Sequence, residues 1–266
     1  MGKPSASSAA STAFCSAKIE GPGGFLWIDG NGKITAANGT LDAPKPNAFS
    51  LVQIKDCPQA TEVCKAACYV HGLEKNAPDT HALYQHNSEM IREILIGDDR
   101  HAWAAVMAVW IKENAPGGFR WHVSGDIFSN VYAAWIATVC MLAPDVRFWI
   151  YTRSFDFAHV LSTVMTENGG NLSLNLSCDK ENVEAAAHHQ QKWGGRACYL
   201  TTDGEVPEGL PEGSVIFPDY ALRGGTEAGQ AWFAGLQPSY KAMVCPVDYH
   251  GKSEQRRCGP CSRCMK

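Results

Sequence analysis

The sequence lacks the features of secreted, membrane-spanning and strongly basic proteins. Its first residues, MGKPSASSAASTAF, contain no apolar segment of the kind that a secretion signal needs. Its longest apolar run, residues 102–111, is about half as long as a membrane-spanning helix. The net charge of −4 does not predict a general surface for polyanions. We therefore expect a cytoplasmic protein with no membrane partner.

What the sequence does contain, from about residue 50 onward, is an alternation of short apolar runs with longer helical patterns. The strand candidates are residues 49–54, 119–126, 147–154, 172–179, 197–203 and 214–219. The helix candidates between them are residues 88–96, 101–115, 130–143, 157–168 and 180–193. This alternation predicts an α/β protein with a parallel sheet, either a partial (β/α)6 barrel or an open doubly wound sheet. A glycine-rich phosphate-binding pattern follows none of these strand candidates, so a dinucleotide site is not predicted.

The chain divides into three predicted parts. Residues 1–48 are expected to form a flexible tail, up to about residue 22, and a β-hairpin within residues 24–39. Residues 49–240 are expected to form the (β/α)6-like core. Residues 241–266 are expected to form a cysteine-rich metal module.

Eleven cysteines in a cytoplasmic protein need an explanation other than disulfides, because that compartment keeps thiols reduced. Seven of them fall into two groups, which suggests metal binding. The other four are scattered: Cys15, Cys140, Cys178 and Cys198. Cys140, Cys178 and Cys198 lie in apolar patterns, and we interpret them as small buried side chains.

The first group has the spacing C-x6-C-x3-C at Cys57, Cys64 and Cys68. A structural zinc site normally has four ligands and C-x2-C pairs; His71 is a candidate fourth ligand, so zinc stays open. The alternative is an iron–sulfur cluster held by three cysteines, which leaves one iron free to bind a small molecule. The loop follows the first strand of the sheet, at the edge where parallel α/β proteins bind ligands, and this favours the cluster.

The second group lies near the end of the sequence and contains Cys245, Cys258, Cys261 and Cys264. The last three have the spacing C-x2-C-x2-C. Four thiols suit either a fully ligated iron–sulfur cluster or a zinc site that holds the C-terminal segment. Both interpretations predict that these cysteines bind metal.

The chain resembles a bacteriophage family known as gene product eighty-eight over roughly residues 50–264, in the stretches CPQATEVCKAACY, HVSGDIFS, FWIYTRS and LSLNLSCD. A partial barrel with a three-cysteine loop after its first strand is similar to radical S-adenosylmethionine enzymes. Their usual loop is C-x3-C-x2-C, and the loop of this chain is longer in both gaps. The resemblance implies that Cys57, Cys64 and Cys68 ligate a [4Fe–4S] cluster, and that a second cluster is present if the other group also binds iron. It implies S-adenosylmethionine as the small-molecule cofactor.

The resemblance also implies roles for polar residues at the ends of the strands. Tyr69 would lie near the adenine, and the SGD sequence Ser124, Gly125 and Asp126 would hold the methionine amino group. Arg153 would pair with the methionine carboxylate. The residues that would contact the ribose are Asn175, Ser177 and Asp179. The alternative for Arg153 is a structural ion pair with Asp126 or Asp179.

Two functions follow from these patterns. The first is a radical S-adenosylmethionine-like enzyme that acts on a nucleic acid or nucleotide in phage metabolism, in the host cell cytoplasm. The second is a protein stabilised by zinc or an iron–sulfur cluster that binds nucleic acid or protein without catalysis. In that case the local basic patch at Arg256, Arg257 and Arg263 contacts the partner.

Overall fold

The computed structural model describes residues 16–30, 46–72, 77–250, 261 and 263–265. The strands are β1 (Ala17–Gly21), β2 (Gly24–Ile28), β3 (Ala48–Phe49), β4 (Phe119–Trp121), β5 (Phe148–Thr152), β6 (Leu172–Cys178), β7 (Arg196–Thr201) and β8 (Val215–Pro218). The α-helices include α1 (Glu62–Ala66), α2 (Pro78–Ile96), α3 (Arg100–Asn114), α4 (Asn130–Leu142), α5 (Phe155–Ala158), α6 (Val183–Trp193), α7 (Glu227–Gly235), α8 (Pro238–Met243) and α9 (Pro246–His250). Among these helices, none combines the length and the apolar character that crossing a membrane requires.

The main sheet contains six parallel strands in the order β3-β4-β5-β6-β7-β8, the same as their order in the chain. This confirms the predicted α/β class with a parallel sheet. A doubly wound sheet reverses its strand order at one point, and that point is where it binds ligands. The described strands show no such reversal, which differs from the doubly wound alternative.

The two faces of the sheet are covered by different parts of the chain. Side chains alternate between the faces along each strand. In β6, Leu172, Leu174 and Leu176 belong to the large apolar core that the helices cover. The opposite face, called the second face below, carries the side chains of Arg120, Trp149, Tyr151, Ser173, Asn175, Ser177, Arg196, Cys198, Val215 and Phe217. A short 3₁₀ segment, Arg263–Met265, packs on this second face.

The hairpin differs from the prediction in its partner strand. β1 pairs with β2 from Ala17↔Ile28 to Gly21↔Gly24. The prediction used residues 24–39, whose second half lies outside the described residues. β1 instead comes from the segment predicted as a flexible tail. Ile19 is the one residue of β1 that is buried, so the strand carries almost no alternating apolar signal.

Two other predicted elements are shorter than expected. The predicted strand at 49–54 is reduced to β3, after which the backbone turns. The predicted helix at 157–168 is replaced by α5 and two 3₁₀ segments, His159–Val164 and Thr166–Asn168. Several β-branched residues in this stretch lose side-chain freedom in an α-helix, which explains why the helix is not continuous.

Candidate functional site

The first cysteine group lies on a loop, residues 54–70, that follows β3 at the carboxyl edge of the sheet. This segment is called the cysteine loop below. Cys57, Cys64 and Cys68 are free thiols and all three are half-buried. Cys64 lies in α1, and the Cys68 sulfur lies 3.2 Å from Oε1 of Gln53. The fold therefore places three thiols at the edge where parallel sheets bind ligands.

Side-chain contacts tie the cysteine loop to the ends of two other strands. Thr61 caps α1, because its Oγ1 accepts a hydrogen bond from the Cys64 amide at 3.0 Å. The same hydroxyl donates to Oδ2 of Asp179, just beyond β6, at 2.5 Å. Gln59 donates to the carboxylate of Asp156, beyond β5. The loop therefore lies across the ends of β5 and β6.

The Asp179 carboxylate, which accepts the hydrogen bond from Thr61, also forms an ion pair with a buried arginine. Nη1 of Arg153 lies 2.6 Å from Oδ2 of Asp179, and the two side chains are 9% and 0% exposed. Oδ1 of Asp179 accepts the Glu181 amide at 2.9 Å. This is the structural ion pair that the sequence left as the alternative to cofactor binding by Arg153. The ion pair between Arg153 and Asp179 fixes the position of the residues that lie under α1.

The SGD sequence joins the ends of β4 and β5. Asp126 is buried, and its carboxylate accepts the Thr152 hydroxyl at 2.6 Å and the amides of Ile127 and Arg153 at 2.7 Å each. Burial raises the pKa of Asp126, while these hydrogen bonds oppose the increase. A carboxylate has about four acceptor positions, so little capacity remains for a ligand amino group.

Gly125 in the same sequence has a packing reason to be glycine. Its φ is +78°, in the left-handed region. A Cβ added at this position would lie 2.5 Å from Cβ of Leu51. The ends of β3 and β4 can therefore approach each other only because this side chain is absent.

Two non-glycine residues with left-handed backbones flank the site. Ile54, at the start of the cysteine loop, has φ 60°, and His122, just before the SGD sequence, has φ 58°. This conformation is rare for a branched side chain such as isoleucine. His122 is buried, which lowers its pKa to about 3 and keeps the ring neutral. Such conformations cluster at functional sites, because the surrounding structure has to impose them.

Buried polar atoms without partners lie beside the cysteine loop. Within the described part of the chain, Oδ2 of Asp56, Oγ of Ser124 and Nδ1 of His122 have no hydrogen-bond partner. The other oxygen of Asp56 pairs with Arg92. Buried polar groups are nearly always paired in proteins, so these unpaired atoms need an explanation such as backbone strain or a bound water or ion.

The three thiols influence one another electrostatically. The pKa of Cys57 is raised by burial and then by the charge of Asp126, with smaller contributions from Cys64 and Cys68. Burial also raises the pKa of Cys64, and the positive charge of Arg153 opposes this. The sulfurs are thus neighbours but not yet ligands of a common centre. Across residues 16–30, 46–72, 77–250, 261 and 263–265, no three histidine, cysteine or acidic side chains are close enough to hold a metal ion.

Of the second cysteine group, Cys245 and Cys264 lie on the second face, and Cys258 is outside the described residues. Cys245 is buried, while Cys261 and Cys264 are half-buried. The side chains of Cys245 and Cys264 pack in one apolar cluster with Cys198 of β7. Burial raises the pKa of Cys198, and the neighbouring thiols Cys264, Cys178 and Cys245 raise it further.

Two of the predicted cofactor residues, Asn175 and Ser177, are not gathered at the cysteine loop. Asn175 is buried on the second face, where its Nδ2 donates to the carbonyl of Cys264 at 3.0 Å. Ser177 lies two residues further along the same face and is half-buried. Tyr69 is 61% exposed and donates to the carbonyl of Val123. Of the predicted cofactor residues, Tyr69 thus lies on the loop itself, and the structure brings the SGD sequence, Arg153 and Asp179 close to it.

Sequence reasoning missed two residues at these sites. Thr61 connects the cysteine loop to Asp179, and an N-cap threonine followed by Glu62 is a recognisable helix-start signal. Cys198 packs with Cys245 and Cys264 of the second group, but its spacing from them in the sequence does not predict this contact.

These features define an α/β protein whose parallel sheet carries a tethered three-cysteine loop at its carboxyl edge and a cysteine-rich segment on its second face. A family model described as Gene product 88 matches residues 26–266. The chain belongs to this family, which confirms the resemblance seen in the sequence.

Curated relatives from two phages support a bacteriophage origin. The Gene 88 protein of Mycobacterium phage D29 is 33% identical over 193 residues, which cover 71% of this chain and 73% of that protein. The Gene 88 protein of Mycobacterium phage L5 is 32% identical over 177 residues, which cover 65% of this chain and 70% of that protein. No solved structure matches the chain.

Proposed function

We propose that this chain is an iron–sulfur protein, and that it acts as a radical S-adenosylmethionine-like enzyme on a nucleic acid or nucleotide in phage metabolism. The observation that carries the proposal is the position of Cys57, Cys64 and Cys68, on one loop held across the carboxyl ends of parallel strands. We also propose that the sheet curves as a partial (β/α)6 barrel. A sequential strand order with helices on one face supports this.

The donor chemistry of the cysteine loop fits a [4Fe–4S] cluster. Three thiols as ligands would leave one iron available to a small molecule. The gap between Cys57 and Cys64 spans a turn and the start of α1, so binding requires the three sulfurs to move closer together. When bound, such a cluster supplies the electron that cleaves S-adenosylmethionine reductively to methionine and a 5′-deoxyadenosyl radical.

The residues around the loop would position the cofactor in this proposal. Oγ of Ser124 and Oδ2 of Asp56 are unpaired but buried, so the loop would have to rearrange before they could contact it. Arg153 and Asp179 would hold α1 rather than bind the methionine carboxylate. Asp126 would hold the ends of β4 and β5 together. The protein would thus contribute positioning and exclusion of water, and the cofactor would contribute the reactive chemistry.

A second candidate is a metal-stabilised protein that binds nucleic acid or protein without catalysis. One observation favours it: protein groups already occupy Asp126 and Arg153, which the resemblance assigns to the cofactor. In this case zinc or an iron–sulfur cluster would hold the cysteine segments in place. Of the basic patch, Arg256 and Arg257 lie outside the described residues, and Arg263 directs Nη1 to the carbonyl of Val244 at 3.4 Å.

The test is anaerobic purification with analysis of iron, sulfide and zinc, followed by EPR of the reduced protein with and without S-adenosylmethionine. We expect a cluster signal that changes when S-adenosylmethionine is added. The triple variant Cys57→Ser/Cys64→Ser/Cys68→Ser should lose that change, whereas Cys140→Ala, a buried cysteine of α4, should keep it. An unchanged signal, or zinc alone, would reject the enzyme and favour the binding protein.

The nucleic-acid part is tested separately with fluorescein-labelled single-stranded DNA. We expect fluorescence anisotropy to rise on binding, and affinity to fall as salt increases. Replacing Arg256, Arg257 and Arg263 by glutamine should weaken binding and reduce the salt dependence. Binding that is absent at low salt would remove nucleic acid from both candidate functions.

A further inference from the structure

A cleft opens at the amino ends of β7 and β8, at the edge of the sheet opposite the cysteine loop. Arg196 is the first residue of β7, Ser214 directly precedes β8, and both residues line the cleft. The volume of the cleft is about 820 Å³. Clefts that bind small molecules usually have volumes of about 300–1,000 Å³. The cleft is therefore large enough for an organic molecule and much larger than a single inorganic ion needs.

Three separate parts of the chain form the walls of the cleft. They are the loop of residues 209–214, helix α8 and the 3₁₀ segment Arg263–Met265. In the loop, Gly209 and Gly213 have left-handed backbones, with φ of 76° and 82°, and a Cβ added at either position would meet nothing within 4 Å. Glycine is therefore needed here for the backbone conformation and not for close packing. At these two positions the loop presents backbone rather than side chain to the cleft.

Positive charge predominates in the cleft. Among the described residues that line it, Arg196 and Arg263 are cationic, and Glu212, which is exposed, is the acidic one. The whole chain has a net charge of −4, so this positive balance is a local property of the cleft. Two like charges that line one cleft attract an anion and focus it there. The charge of the cleft thus favours an anionic ligand.

Contacts with the backbone hold both arginine side chains in place. Arg196 donates Nη1 to the carbonyl of Arg263, and Nη1 of Arg263 lies 3.4 Å from the carbonyl of Val244. A guanidinium has several N–H donors in a planar fork, so a bond to a carbonyl positions the group without neutralising its charge. A positioned fork suits paired hydrogen bonds to phosphate oxygens. Among anionic groups, phosphate therefore fits the two arginines best.

Apolar side chains also line the cleft. Leu210, Tyr240 and Met243 contribute them, and Leu210 is 7% exposed. The Tyr240 hydroxyl donates to the carbonyl of Pro207 at 3.1 Å, which fixes the direction of its ring. A few charged groups beside apolar walls are typical of sites for small organic ligands. The cleft thus suits a ligand that carries its charge on an apolar or aromatic body.

We propose that this cleft binds a phosphate monoester of a small organic molecule. Arg196 and Arg263 hold the phosphate, and the organic part packs against Leu210, Tyr240 and Met243. A phosphate monoester has a charge of about −1.5 to −2 at pH 7, so it uses both guanidinium groups. The site does not depend on metal at the cysteine loop, because the two places lie at opposite edges of the parallel sheet.

The test is a titration of the full-length protein with phenyl phosphate, followed by calorimetry at low salt. We expect binding that weakens as salt increases. Inorganic phosphate, which lacks the ring, should bind more weakly, and phenol, which lacks the phosphate, should not bind. Arg196→Gln and Arg263→Gln should each weaken the binding of phenyl phosphate about tenfold or more. Arg147→Gln, which changes an exposed arginine outside the cleft, should leave it unchanged.

A second pair of variants covers the case in which the arginine variants reduce folding, which circular dichroism reports. Glu212→Gln removes the carboxylate from the lining of the cleft and should strengthen the binding of phenyl phosphate by about two- to fivefold. Glu208→Gln changes an exposed residue nearby that does not line the cleft, and it should have no effect. Partial unfolding does not strengthen binding, so a gain in Glu212→Gln alone identifies the charge of the cleft as the cause.

Three results would overturn the proposal. The first is that neither phenyl phosphate nor inorganic phosphate binds at millimolar concentration. The second is binding that survives both arginine substitutions, which places the phosphate elsewhere. The third is loss of binding in Cys261→Ser, because that thiol also lines the cleft and the loss would assign the phosphate to the thiol or to a metal that it holds. None of these results changes the EPR signal expected from the cysteine loop, so failure here is distinguishable from failure of the proposed function.

Discussion

The two cysteine regions of this protein are held to the same sheet by different forces. The cysteine loop is fixed at the carboxyl edge by a hydroxyl, carboxylates and a guanidinium, with Thr61, Arg153 and Asp179 at the centre. The C-terminal cysteines are fixed on the second face by apolar packing, with Met265 against Trp149 and Cys264 against the cluster of Val215 and Val247, and by hydrogen bonds from the Asn175 and Arg196 side chains to backbone carbonyls.

The two regions should therefore respond differently to pH, to charge and to lost side-chain volume. Polar contacts are directional, and they respond to pH and to the loss of one charged partner. Apolar packing has no direction, and its strength depends on area and fit. We therefore expect the cysteine loop to be precisely placed but sensitive to charge, and the C-terminal segment to be insensitive to charge but sensitive to lost volume.

The largest expected effect comes from breaking the buried ion pair. Arg153→Met leaves the Asp179 carboxylate buried without its cation, so we expect the free energy of unfolding to fall by about 3–5 kcal/mol. Urea denaturation measures this. The control is Lys180→Met, which breaks the exposed pair with Asp203 at 2.8 Å and should have a much smaller effect, because exposed ion pairs contribute little. Equal small losses would show that charge does not hold the loop.

The second effect is a pH dependence from Asp29, which forms a bridge with Ala48 of β3. Its carboxylate accepts the hydroxyls of Ser50 and Tyr84, and Ser50 directly follows β3. Burial raises the pKa of Asp29 from 3.8 to about 7. Between these values the folded protein keeps a proton that the unfolded chain releases. The contribution of Asp29 to the free energy of unfolding is therefore fully present below pH 4. That free energy falls by up to about 4 kcal/mol as the pH rises to 7.

Asp29→Asn should remove this pH-dependent loss. Urea unfolding from pH 4 to pH 8 gives the comparison, and the difference between wild type and variant isolates Asp29 from other carboxylates. Asp203→Asn is the control, because Lys180 lowers the pKa of that exposed group. The same slope in wild type and Asp29→Asn would contradict the prediction.

The third effect tests the apolar region. Met265→Ala removes volume from the contact with Trp149, which is 1% exposed, and should lower the free energy of unfolding by about 2 kcal/mol. The loss should be the same at low and high salt, and tryptophan emission should shift to longer wavelength. Met141→Ala, at an exposed position of α4, should change stability by less than about 0.5 kcal/mol. A loss that disappears in high salt would contradict the apolar interpretation.

The smallest effect concerns the cap of α1. Thr61→Ala should cost about 1 kcal/mol, as loss of a helix cap usually does. Thr226→Ala removes a comparable cap from α7, where Thr226 accepts the Gly229 amide at 3.0 Å. The two variants should differ in hydrogen exchange, because Thr61→Ala alone releases the Cys64 amide. Faster exchange of that amide in both variants would show that Thr61 has no specific role in the loop.

The sequence predicted the strands of the sheet well, because apolar runs of four to eight residues have a clear local signal. Four of the six predicted strands agree with β5 to β8 within two residues at each end, whereas the strand predicted at residues 119–126 ends at Trp121. Local pattern also located the cysteine loop, since three thiols after a strand are visible in the sequence. The left-handed backbones of Ile54 and His122 were not predicted, because this conformation at a non-glycine residue leaves no local pattern in the sequence.

Contacts between distant residues were not predictable from the sequence. Thr61 and Asp179 are separated by 118 positions, and Asn175 and Cys264 by 89. Nothing in the spacing shows that a threonine beside Cys64 meets the end of β6. Similarly, Cys198 resembles any buried apolar strand residue until the fold brings Cys245 and Cys264 to its face.

The packing of Arg263–Met265 on the second face has a consequence for the order of events during synthesis. The Asn175 side chain cannot reach its partner at Cys264 until 89 more residues have been made. At about 5–20 residues per second, that interval is roughly 4 to 18 seconds. The ribosome adds Trp149, Tyr151 and Cys198 before this interval ends. A growing chain therefore exposes an apolar, thiol-bearing surface while it is still attached to the ribosome. A chaperone would be most useful to the protein during those seconds.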